Sequence, residues 1–124
     1  MSKTIELYYK KANIDGLQSI PEPYRTIVAI NTAQAIIENG GFEYLFENFI
    51  AGREQDLNII AESYKRLGFD REFAILDKLV QMYFRKKSIL FSQYKEEEKI
   101  FFDDSKNIYR KIDKLEKKIG RVFD

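Results

Sequence analysis

Residues 21–49 read PEPYRTIVAINTAQAIIENGGFEYLFENF, and the parsing of this stretch decides the fold. Its two prolines, Pro21 and Pro23, are the only ones in the chain and bracket Glu22. Proline lacks an N–H and its ring clashes one turn back, so it cannot continue a helix from upstream but is comfortable in a first turn. A helix is therefore expected from about Pro23 to Asn39. Its Ile27, Val28, Ala29, Ile30, Ala33, Ala35, Ile36 and Ile37 cover nearly the whole circumference, and a helix apolar on most sides is buried on most sides. This one should be central, with Asn31 and Gln34 partly buried and in need of hydrogen-bond partners. At Asn39-Gly40-Gly41 the pattern stops, because glycine is favoured just past a helix end, where the chain turns left-handed. A short aromatic helix follows. Phe42, Leu45, Phe46 and Phe49 share one face, and Ile50-Ala51-Gly52 ends it.

Outward from this centre the spacing stays helical and alternating strand patterns are scarce. Residues 4–13 read as a first helix, with a connector from Asp15 to Pro21. A fourth helix over about 53–67 presents Leu57, Ile60, Ala61, Tyr64 and Leu67 and stops at Gly68. The fifth starts after Asp70, a candidate N-cap, and carries Phe73, Leu76, Val80, Tyr83 and Phe84 toward a basic end at Arg85-Lys86-Lys87. Beyond Leu90 come one or two more helices, with Glu96-Glu97-Glu98-Lys99 read as a solvated charge run. Asp103-Asp104 read as capping acids at a helix start. Ile108, Ile112, Leu115, Ile119 and Val122 form the apolar stripe of the last helix, packed on the domain. The expected fold is all-α, one compact domain over residues 1–124, with five to seven helices around the central apolar one.

Composition excludes whole classes of chemistry. At 124 residues, 44 % hydrophobic and 33 % charged, the chain suits a single globular domain. Without histidine or cysteine it can form no Ser-His-Asp triad, thiol nucleophile, disulfide or Cys/His zinc site. No cofactor or metal is expected. The segment Met1-Ser2-Lys3-Thr4-Ile5-Glu6 has no signal-peptide core, and no stretch approaches the roughly 20 apolar residues that span a bilayer. A cytoplasmic protein without a membrane partner is expected.

Asn39-Gly40-Gly41-Phe42, followed by Glu43-Tyr44-Leu45-Phe46-Glu47-Asn48, a later Leu67-Gly68 corner and a helical tail, resembles a bacterial domain family of unknown function. That family is named after an acidic DNA-mimic protein, and the resemblance covers about residues 20–123. It implies an all-helical fold, no catalytic activity and, for the namesake, a dimer acting on a DNA-binding regulator. Mimicry itself requires dense negative charge, since duplex DNA carries about one charge per 1.7 Å of axis. Here 21 basic residues against 20 acidic ones leave +1, so the fold carries over and the mimicry does not. Physically, the paired glycines let the chain turn tightly and Phe42 plug the corner. Asn39 or Asn48 can bond backbone groups at helix ends, and Phe46 continues the buried face. Gly40→Val should cost stability.

Two charge constellations remain. Glu43 and Glu47 share a helix side with Glu38 nearby, a set that could hold a cation or share a proton if a cleft gathered it, and that otherwise forms a solvent-facing flank. Lys106, Arg110, Lys114, Lys117 and Arg121 make a basic stripe on the last helix, opposite its apolar face. The stripe is either the solvated back of a packed helix or a surface for nucleic-acid phosphates, an anionic membrane or an acidic partner. Tyr8, Tyr9, Tyr44 and Tyr94 lack the sheet that usually presents stacking aromatics and fit a protein contact better. The function expected is a non-enzymatic protein–protein interaction module, homodimeric like the family's namesake, with an unidentified protein partner. The alternative is a nucleic-acid-associated accessory protein that uses the basic stripe. A small enzyme relying on carboxylates alone ranks third.

Overall fold

The computed structural model describes residues 3–47, 54–86 and 88–123, the side chains of 121–123 excepted. Six α-helices follow one another: α1 (Lys3–Asp15), α2 (Tyr24–Glu47), α3 (Gln55–Arg66), α4 (Asp70–Lys86), α5 (Lys95–Asp103) and α6 (Ser105–Phe123). Single 3-10 turns at Leu17–Ser19 and Phe91–Tyr94 precede α2 and α5, and no strand occurs among the described residues. The all-α expectation holds. Of the one or two helices expected after Leu90 there are two, separated at Asp104, whose N–H bonds Ile100 O at 3.0 Å while its own carbonyl accepts from Ile108 at 2.9 Å.

Helix α2 is the hub, touching α1, α3, α5 and α6. Its start follows from the Pro-Glu-Pro sequence: the carbonyls of Pro21 and Pro23 accept from Arg25 and Ile27 at 3.0 and 3.3 Å. The Glu22 carboxylate accepts from the Thr26 N–H at 3.0 Å and from its hydroxyl at 2.6 Å, satisfying a first-turn donor that has no partner within the helix. Ile27, Val28, Ala29, Ile30, Ala33 and Ile37 are all buried. Ala35 is exposed and Ile36 half-buried, so enclosure is complete only over the first half and the expected all-round burial is too broad.

Among the described residues the buried polar side-chain atoms find hydrogen-bond partners, apart from Glu72 Oε2. Gln34, fully buried, donates from Nε2 to Phe101 O at 2.8 Å and accepts from the Tyr64 hydroxyl at 2.8 Å. The Phe101 carbonyl lies in the last turn of α5, where the helix's own ladder runs out, so one amide joins α2, α3 and α5. Burial pushes the Tyr64 hydroxyl well above its ordinary pKa, which keeps it a donor. Asn31, half-buried, donates to the Tyr9 hydroxyl at 2.7 Å and ties α1 to the hub. Phe101 sits edge-on to both Tyr64 and Phe42, each at 5.5 Å between ring centroids.

Two connections are fixed by specific chemistry. After α3 the N–H groups of Gly68 and Phe69 bond the carbonyls of Lys65 and Tyr64, both at 3.0 Å, closing the helix end with Gly68 at φ 86°. Between α1 and α2 the N–H of Leu17 bonds both oxygens of Asp56, 3.2 Å to each, from the start of α3. Asp56→Ala should therefore strand a buried donor and cost about 1–3 kcal/mol, read as a lower urea midpoint with an unchanged slope.

Candidate functional site

The Asn-Gly-Gly-Phe corner bends α2 at one residue. Gly41 alone leaves helical geometry, at φ 74° and ψ −169°, in a region that side chains with a Cβ rarely adopt. The bend frees the Phe42 N–H, which donates to Glu98 Oε1 at 2.8 Å. Glu98 reaches in from α5, is only 6 % exposed, and pairs through Oε2 with Lys95 Nζ at 3.4 Å. A Cβ on Gly41 would fall on Glu98 Oε1 and 2.9 Å from its Cδ. Gly40 is crowded too, since a Cβ there would lie 2.6 Å from the Tyr44 Cβ, but of the pair only Gly41 needs a positive φ. Phe42 and Phe46 are buried, as the plug reading requires. Asn39 is exposed and makes no side-chain hydrogen bond among the described residues; Asn48, Phe49 and Ile50-Ala51-Gly52 lie outside them.

Glu98 corrects the reading of Glu96-Glu97-Glu98-Lys99 as a solvated run. Glu96 and Lys99 are exposed, but Glu98 is in phase with Tyr94 and Phe101 and turns inward with them. That phase relation is the signal that the local charge density hides.

Helix α6 carries the second expected feature. Ile108, Ile112 and Ile119 are buried, Leu115 is half-buried, and the helix runs unbroken past Asp113. Lys106, Arg110, Lys114 and Lys117 are exposed, and none forms an ion pair among the described residues; the Arg121 side chain lies outside them. With Lys111 and Lys118, also exposed, these cations fill an arc of about 140° around the axis. The acids of the helix keep to one side: Asp113 borders Lys117, and Glu116, its carboxyl raised by burial and then by Asp113, lies toward Tyr9. On the opposite edge a groove of about 370 Å³ opens between Leu67 and α6.

A model of the DMP19-like protein family matches residues 18–123. The chain belongs to the DMP19-like family. No curated protein and no solved structure matches it.

In this DMP19-like chain the remaining carboxylates do not converge. Glu38 accepts from the Ser105 hydroxyl at 2.5 Å and from Tyr109 at 2.8 Å, holding the start of α6 against α2. Tyr109 is raised above its ordinary pKa by burial and by the Glu38 bond, and remains a donor. Glu43 and Glu47 are exposed and border a separate hollow with Tyr83 and Phe91. The cleft that a carboxylate site would need is therefore not formed around these three acids, and no cluster of three or more acids that could hold a metal occurs among the described residues. Asp104 follows α5 and pairs with Arg71 at 3.1 Å rather than capping alone. Of the tyrosines, Tyr8 packs on Tyr24 at 4.6 Å between centroids and Tyr94 donates to Met82 Sδ at 3.6 Å, leaving Tyr44 exposed. A hollow of about 910 Å³ between α3 and α4 is lined mostly by polar side chains. Its Asn58 bonds Gln55 at 3.0 Å and accepts from Gln81 at 3.5 Å.

Proposed function

We propose that this DMP19-like chain is a non-catalytic protein-interaction module of the bacterial cytoplasm, acting through the exposed face of α6. The observation that carries this reading is the contrast between two sets of charges. Buried or half-buried carboxylates hold the fold: Asp56 binds Leu17, Glu98 the Gly41 corner and Glu38 the start of α6. The cations Lys106, Arg110, Lys114 and Lys117 are outside, without an ion-pair partner among the described residues. Charges left available on a rigid helix favour electrostatic recognition over chemistry. DNA mimicry is not part of the proposal, because a net charge of +1 supplies no polyanionic surface. No helix among the described residues is long and apolar enough to cross a membrane.

Capture from the native cell with the tagged protein, after nuclease treatment, tests the proposal. A protein retained by the wild type and lost with K106E/R110E/K114E/K117E is the expected result. The same proteins held by both forms would overturn it. The exposed, unpaired cations also support a second reading, contact with nucleic acid. That reading requires binding to DNA or RNA that survives about 0.15 M salt and weakens steeply above it. Sedimentation equilibrium tests the homodimer: a mass of two chains is expected at micromolar concentration, and one chain throughout excludes it.

A further inference from the structure

We propose that the groove between the end of α3 and α6 receives an acidic segment of a partner protein carrying a leucine-like side chain; this rests on the interaction-module reading above. Arg110, Lys111, Lys114 and Lys118 line the groove with no acid among its lining residues, and Leu67 and Leu115 give it an apolar portion. Lys111 and Lys118 lie outside the stripe legible in the sequence and turn its edge into a concave site. Lys111 extends across the α3 corner, where Nζ sits 3.8 Å from the place a Cβ on Gly68 would occupy.

Charge and shape together select the occupant. Four cations spread along about 12 Å of helix lie within or near a Debye length of one another, so an arriving set of carboxylates relieves repulsion as well as gaining attraction. The acids Asp113 and Glu116 lie around the helix from the groove and do not neutralise it. A phosphate backbone would also satisfy the cations. It would leave the half-buried Leu67 and Leu115 uncovered, however, and the lining offers no aromatic ring for a base. A volume of about 370 Å³ with polar walls and an apolar portion suits one or two aliphatic side chains flanked by acids.

Fluorescence anisotropy with three labelled probes tests this on the full chain. The first is a glutamate-rich peptide of about a dozen residues with two leucines one helical turn apart. The second replaces both leucines with serine, and the third is a duplex DNA oligonucleotide. The leucine peptide should bind about tenfold or more tightly than the serine peptide, the gain expected from burying an aliphatic side chain. K111E/K118E, a change at exposed positions, should weaken it by at least about tenfold while leaving the thermal midpoint in place. Equal binding of both peptides, indifference to K111E/K118E, or tighter binding of the oligonucleotide at the same salt would each overturn the proposal. If the peptide fails while cellular capture still depends on Lys106, Arg110, Lys114 and Lys117, the groove assignment alone falls. Failure of both removes the interaction module with it.

Discussion

Gly41→Ala should lower the thermal unfolding midpoint by on the order of 10 °C, the loss of about 3 kcal/mol in a domain of this size. Two costs combine. Holding a residue with a Cβ at φ 74° and ψ −169°, a region essentially open only to glycine, costs on the order of 1–3 kcal/mol. The new methyl also lands on the Glu98 carboxylate and drives it from the Phe42 N–H, leaving a buried donor and a buried charge without each other. Gly40→Val should also destabilise, because a Cβ there would lie 2.6 Å from the Tyr44 Cβ, an atom that a swing of the ring does not move. Gly120→Ala is the internal control. Nothing lies within 4 Å of a Cβ there, and replacing a helical glycine should stabilise by about 0.5–1 kcal/mol. Combining Gly41→Ala with Glu98→Ala removes the clash as well as the bond, so the double variant should lose less than the two single losses together. Strict additivity would mean that the two residues do not meet.

Glu72→Gln should raise stability at pH 8 and erase a pH dependence present in the parent. Glu72 is 1 % exposed at the start of α4, and its Oε2 has no hydrogen-bond partner. Burial and a bond to Asp104 raise its carboxyl from 4.5 to about 7, whereas Asp104, bonded by Glu72 and by Arg71, is lowered. Between about pH 4.5 and 7 the folded protein keeps a proton that the unfolded chain has released. Stability therefore falls as pH rises through that window, by on the order of 3 kcal/mol in all, and the loss is complete above it. Asp104 acts in the opposite sense at the acid end, its contribution fading as pH falls through its lowered value. Glutamine keeps the shape and a donor toward Asp104 but never ionises. Thermal midpoints from pH 4.5 to 8 should converge at the acid end and separate toward the alkaline end. Parallel curves would show that Glu72 titrates normally. The chain has no histidine, so the usual titrating group of this range does not obscure the comparison.

Local pattern made the hub legible. The apolar run from Ile27 to Ile37, the prolines before it and the glycines after it predict α2 and its corner, because helix phase and backbone freedom are properties of neighbours. The stripe on α6 was legible for the same reason. Partners that close the fold across long separations were not. Phe42 and Glu98 are 56 positions apart and Leu17 and Asp56 are 39 apart, and spacing along the chain cannot register such pairs. A weaker signal was present in each case. Asp56 is in phase with Ile60 and Ser63, Glu72 with Leu76 and Leu79, and Glu98 with Phe101, and all of these residues are buried. An acid on the inward stripe of an amphipathic helix marks an internal bond before its partner can be named. The groove was hidden because Lys111 and Lys118 acquire meaning only beside Leu67, which another helix supplies.

The bend at Gly41 is locked from a segment made well after it. A nascent chain made only as far as Leu90 holds an elbow whose bolt, Glu98, is not yet available. The two arms of α2 must wait for α5 before their angle is set. Cutting the gene between Lys86 and Phe91 should accordingly yield two fragments that are each poorly ordered alone and regain helicity on mixing, as complementary parts of a single lock.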